Sequence, residues 1–151
     1  MTTKAAFNAE EWTTVQEAPL LAGMRVLAAG RGGTLRETLA MGQVYAEARK
    51  RHAAGELLDN LVSSPPSMDP SRFQSGRDIE ALSTERLREA AQIMRSKATP
   101  EELDAYRRFA VDVARAAAVA HREGGFLGIG GEEVSAEEQA ALDAVEAILS
   151  E

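Results

Sequence analysis

Six residues that can carry charge or ligate an ion flank one glycine-rich stretch near the end of the chain: His121, Glu123, Glu132, Glu133, Glu137 and Glu138. Carboxylate oxygens are the ligands that hard divalent cations take. His121, Glu123, Glu132, Glu133 and Glu138 are therefore the candidate ligands of a divalent cation. The spacing is not that of an EF-hand loop. Glutamates at the start of a helix also have a reason of their own to be there, because the positive end of the helix dipole favours them. No G-x-S-x-G nucleophile motif is present, and no second general base stands near His121 in sequence. The expectation is a non-catalytic protein.

The stretch between these residues runs Gly124-Gly125-Phe126-Leu127-Gly128-Ile129-Gly130-Gly131-Glu132-Glu133-Val134. Its glycines permit backbone angles closed to other residues. Phe126, Leu127 and Ile129 are apolar residues that a free loop does not need. Either they fold back onto the core or they face a partner, and they are the candidate partner-binding residues. A phosphate cradle is not expected. No lysine follows the glycines, and the helix after them opens with Glu132, Glu133, Glu137 and Glu138, where a phosphate would be repelled.

The elements that must position this loop are helices. Ser135 and Glu138 have capping-box spacing, and Leu142, Val145, Ile148 and Leu149 follow as an apolar stripe. Before the loop, Thr99, Pro100 and Glu102 give cap, first-turn proline and third-position acid. Leu103, Tyr106, Ala110, Val113, Ala114 and Ala117 then recur at helical spacing up to Gly124. Asn8 with Glu11, and Thr34 with Glu37, mark two further helix starts. Pro19 is expected to break the first helix near Glu17, because proline lacks an N–H and clashes one turn back. Arg49 to His52 place cations at the end of the second helix, as its dipole prefers. A short apolar stretch from Leu57 to Val62 adds a turn or two. Residues 63–77, rich in serine and proline, read as a loop. Ser83 reads as the cap of the next helix, with Leu82 and Leu87 at staple spacing. Nothing alternates with period two for long enough to form a strand. The fold class is all-α, a compact multi-helix bundle in one domain spanning residues 1–151.

Composition agrees with that class. The chain has 151 residues, 44% hydrophobic and 27% charged, which suits one domain with its own core. It has no cysteine, so disulfides and thiolate zinc sites are excluded. No segment approaches the length of a membrane span and none at the start resembles a signal peptide, so a cytoplasmic location is expected. The net charge of −7 is concentrated late: from Glu123 to Glu151 there are eight acids and no Lys, Arg or His. Nucleic acid is therefore not expected as a partner of this end, whereas a cation or a basic protein surface is.

Two segments share a plan. Leu27 to Gly33 leads into Thr34 and Glu37, and Val119 to Gly125 leads, after nine extra residues, into Ser135 and Glu138. Both read helix, glycines, capping box, helix. The bland account is the shared grammar of helical hairpins. The sharper one is a pair of pseudo-symmetric hairpins, with loop 126–134 as an addition at one joint.

The segment from Ala117 to Leu149 resembles the TerB-like domain family of tellurite-resistance-associated proteins. The resemblance is carried by Glu123-Gly124-Gly125-Phe126-Leu127-Gly128-Ile129-Gly130-Gly131 and by Val134-Ser135-Ala136-Glu137-Glu138. It covers the last third of the chain, touches the N-terminal hairpin loosely and leaves residues 56–98 unmatched. It implies a compact helical domain with a role in stress or tellurite response, metal binding through acidic loop residues and no established catalysis. The common family pattern has an aspartate-glycine pair after the helix. Glu123-Gly124 stands there here, and Arg31-Gly32 stands in the first hairpin, which argues against paired metal sites. A protein partner or self-association without metal is the alternative. In that case an open apolar face is expected on Val113 to Ala117 or on Leu142 to Leu149.

Overall fold

The computed structural model describes residues 2–29, 35–51, 57–63, 76–123 and 136–151. Of these, residues 35–40, 51, 76–78 and 120–123 are described by their helical backbone alone. One 3-10 turn, Lys4–Ala6, precedes six helices: α1 Ala9–Ala29, α2 Leu35–Arg51, α3 Leu57–Ser63, α4 Gly76–Lys97, α5 Pro100–Glu123 and α6 Ala136–Ser150. The chain is an all-α bundle, and among the described residues no helix is long and apolar enough to cross a membrane.

Helix α1 is the axis of the bundle and lies against α4 and α5 along most of its length, with α6 alongside. Helix α2 packs on α5 rather than on its sequence neighbour α1, and α3 closes against α2 and α5. Small side chains bring the helices of this centre close together. Ala18 and Ala22 on α1, and Ala110, Ala114 and Ala117 on α5, are fully buried. At Gly23 the approach is closest: a β-carbon there would run into the Met41 thioether and lie 3.2 Å from Val113 Cγ1. The absence of a side chain on α1 is what lets α2 and α5 meet it at one point.

Two helix starts are built as the residue spacing predicts. Glu11 N–H donates to Asn8 Oδ1 at 2.8 Å, and Asn8 N–H donates back to Glu11 Oε2 at 2.9 Å. At α5, Glu102 N–H donates to Thr99 Oγ1 at 3.2 Å while Thr99 N–H donates to Glu102 Oε2 at 2.9 Å. Each box satisfies two backbone donors that a helix start otherwise leaves open.

Two other expectations are overturned. Pro19 does not break α1, which runs unbroken from Ala9 to Ala29 with the proline buried inside it. A proline at position 19 deprives the Val15 carbonyl of its helical donor. The Tyr106 hydroxyl, on α5, donates to that carbonyl at 2.8 Å inside the core. The bond lost within one helix is replaced from another, and the helix continues. Ser83 does not cap α4 either. The helix already begins at Gly76, and Ser83 sits in its interior, fully buried. Its hydroxyl donates to the Glu80 carbonyl at 3.0 Å, the back-bonding that a mid-helix serine adopts. Of the expected loop 63–77, Ser63, Gly76 and Arg77 belong to helices, and residues 64–75 lie outside the described residues.

The double glycines of the two hairpin-like segments also lie outside the described residues. Around them, α1 and α5 pack on each other, α2 packs on α5 and α6 packs on α1. Each second helix thus lies against the first helix of the other segment.

Candidate functional site

Helix α6 follows the glycine-rich stretch in sequence, and its buried face is described from Ala136 onward. Glu138, Ala141, Leu142, Val145, Ile148 and Leu149 are its buried residues, at the three- and four-residue spacing of one helical stripe. Glu138 therefore heads the apolar stripe. It is 2% exposed, while its neighbour Glu137 faces solvent. A carboxylate in an interior is costly unless a hydrogen bond or an opposite charge meets it, and Glu138 is not without a partner. Capping-box spacing identified this residue, but the spacing did not reveal that it points inward.

His121 and Glu123 occupy the last turn of α5. That end of a helix carries the negative pole of its dipole, which suits His121 and Arg122 and opposes Glu123. The side chains of His121 and Glu123 lie outside the described residues, as do Glu132, Glu133 and the apolar Phe126, Leu127 and Ile129. Of the five candidate ligands, Glu138 thus has a described side chain. Among the described residues, no group of three or more histidines or acids could hold a metal ion.

The polar side chains that do converge hold helices together. Arg25, 13% exposed, reaches from α1 to the middle of α4. Its Nη1 donates to Thr84 Oγ1 at 2.5 Å and to Ser83 Oγ at 3.4 Å, and Nη2 stands 3.7 Å from Glu80. Three arginines close the end of α6. Arg107 Nε donates to the Leu149 carbonyl at 2.7 Å, Arg88 forks onto the Glu151 carboxylate at 2.6 and 3.1 Å, and Arg115 lies 3.6 Å from Glu146. Cations at a helix C-terminus meet its unsatisfied carbonyls and its dipole. The open groove of about 330 Å³ between α5 and α6 is lined by Arg107 and Arg115, already engaged with α6, together with Arg108, Asp112 and Glu146.

Two phenols are buried with opposite outcomes. Tyr106 is fully used, by the bond to Val15. Tyr45 packs edge-on against Phe109 with ring centroids 4.9 Å apart, and its hydroxyl has no hydrogen-bond partner among the described residues. Burial pushes both phenols above their ordinary range, and the neighbouring Tyr45 adds to the shift at Tyr106. Neither phenol is a proton donor or acceptor poised near neutrality.

The apolar stripes on α5 and α6 do not form the open face expected of a dimer. Val113, Ala114 and Ala117 are fully buried within the chain, and Leu142, Val145, Ile148 and Leu149 are 7% exposed or less. No protein-family model, curated protein or solved structure matches the chain.

Proposed function

We propose that the chain is a non-catalytic binding domain of TerB-like type, whose recognition element is the acidic glycine-rich loop 124–134 and whose ligand is a divalent cation. The observation that carries this reading is the inward carboxylate of Glu138 in the first turn of α6, the helix that follows the loop in sequence. Glu123 supports it from the other side of the loop. It is an acid at the negative end of α5, a position that a nearby cation would make favourable. The non-catalytic part rests on the sequence, which holds no G-x-S-x-G nucleophile motif. A role in stress or tellurite response enters through the family resemblance alone. The second reading is a protein-interaction subunit without metal, in which Phe126, Leu127 and Ile129 meet the partner.

The test is thermal unfolding of metal-stripped protein with calcium, magnesium, manganese and zinc added in turn. An ion at 100 times its dissociation constant that binds only the folded state stabilises it by about 2.7 kcal/mol. In a domain of this size that is a rise in Tm of roughly 5–11 °C. The rise should vanish in Glu132→Gln/Glu133→Gln, which leaves the buried Glu138 untouched, and in Glu138→Gln. No rise with any ion discards the cation and leaves the protein-interaction reading.

A further inference from the structure

We infer that residues 2–7 form a releasable strap across the α4–α5 junction, with Lys97 as its latch. The segment is tied down by polar bonds that converge on this one corner of the bundle. Thr2 N–H donates to Glu102 Oε1 at 2.8 Å, and Thr2 Oγ1 donates to the Lys97 carbonyl at 3.2 Å. The Lys97 ammonium donates to the Ala6 carbonyl at 2.8 Å and to Glu11 Oε2 at 2.6 Å. It also lies 5.8 Å from the centre of the Phe7 ring. One side chain at the end of α4 thus holds the strap, the cap of α1 and the aromatic ring between them.

Beyond these bonds, Phe7 alone ties the segment to the hydrophobic core. Thr3, Lys4, Ala5 and Ala6 are exposed, so Phe7 is its single buried side chain. Phe7 rests on Trp12, with ring centroids 5.5 Å apart, and Lys4 lies 5.5 Å over the indole. Trp12 Nε1 is buried without a hydrogen-bond partner among the described residues, which disfavours the closed state. Lifting the strap withdraws Phe7 and Lys4 from the indole and lets water reach that N–H. Few apolar contacts, exposed backbone and a penalty relieved by opening are the marks of a unit that opens before the rest of the fold. Release presents the face of Trp12, the chain's one tryptophan, at the corner where α4 meets α5.

Hydrogen exchange on the full chain tests this. The amides of Ala6 and Phe7, which bond to Thr3 O and Lys4 O, report the strap. In the unmodified chain they should exchange together, and faster than amides in the middle of α1 and α5. Lys97→Met should speed them roughly tenfold, from loss of a charge-assisted bond, without changing the α1 and α5 amides. Acrylamide quenching of Trp12 should rise in the same variant, and Lys97→Arg should retain much of the protection. Glu102→Gln loosens the second anchor without touching the latch and should give a smaller change in the same direction. The inference is overturned if Ala6 and Phe7 exchange in step with the helix interiors. It is equally overturned if Lys97→Met leaves their exchange and the quenching of Trp12 unchanged.

Discussion

Removing the hydroxyl of Tyr106 should destabilise the fold through a residue 91 positions earlier. Tyr106→Phe keeps the ring and its packing and deletes the donor that serves the Val15 carbonyl. That carbonyl has no helical donor, because the residue one turn later is Pro19. A buried acceptor left unpaired costs about 1–3 kcal/mol. For a domain of this length each kcal/mol moves Tm by roughly 2–4 °C, so the variant should melt roughly 2–12 °C lower. The cause can be isolated with a second change. In Pro19→Ala the new N–H can serve Val15 by itself, so deleting the tyrosine hydroxyl should then cost far less. A double-mutant cycle in urea should show a coupling of about 1 kcal/mol or more between residues on different helices. If Tyr106→Phe costs the same with proline or alanine at position 19, the hydroxyl is not substituting for the missing amide and the reasoning fails.

Two other perturbations have a predicted sign. Tyr45→Phe removes a buried hydroxyl that has no partner among the described residues, so it should be neutral or stabilising by about 1 kcal/mol, the reverse of Tyr106→Phe; a loss of more than about 1 kcal/mol in urea unfolding would show that the hydroxyl is bonded in solution. Acid should weaken the fold through Glu102. Burial pushes this carboxyl up, but the Thr2 and Thr99 bonds outweigh burial and leave it below its ordinary 4.5. A group lowered in the folded state contributes stability that is complete above its unfolded value and lost as pH falls through its folded one. Glu11, lowered by Lys97 and the Asn8 amide, and Glu151, lowered by Arg88, act in the same direction. The urea midpoint should therefore hold down to about pH 5 and then decline, and Glu102→Gln should decline less steeply. Identical slopes for the two proteins would remove Glu102 from this account.

What was legible in the sequence was what depends on near neighbours. Asn8 with Glu11 and Thr99 with Glu102 are three residues apart, and both boxes close as their spacing requires. The apolar stripe of α6 was equally plain, because 3.6-residue periodicity is local. Pro19 looks like the edge of a helix until the distant Tyr106 hydroxyl is supplied for the carbonyl behind it, and no local rule brings that partner in. Ser83 has two local uses, as a cap or as a mid-helix residue bonded to the carbonyl of Glu80, and its spacing from Leu82 and Leu87 does not choose between them. Of the candidate site, the sequence named Glu138 through its capping position, but that position does not say whether the side chain turns inward. That depends on how α6 is rotated against α1, α4 and α5, which is a property of the packed bundle.

Helix α1 lies against α4, α5 and α6, all of which come much later in the chain. During synthesis its apolar side, with Trp12, Val15, Leu21 and Val26, has no surface to cover it until α4 and α5 have been made. Between Ala29 and Glu123 that interval is roughly 5–20 s at ordinary translation rates. Until then those side chains are open to non-native apolar contacts. Truncated chains ending before α5 should accumulate as aggregates rather than as smaller folded proteins.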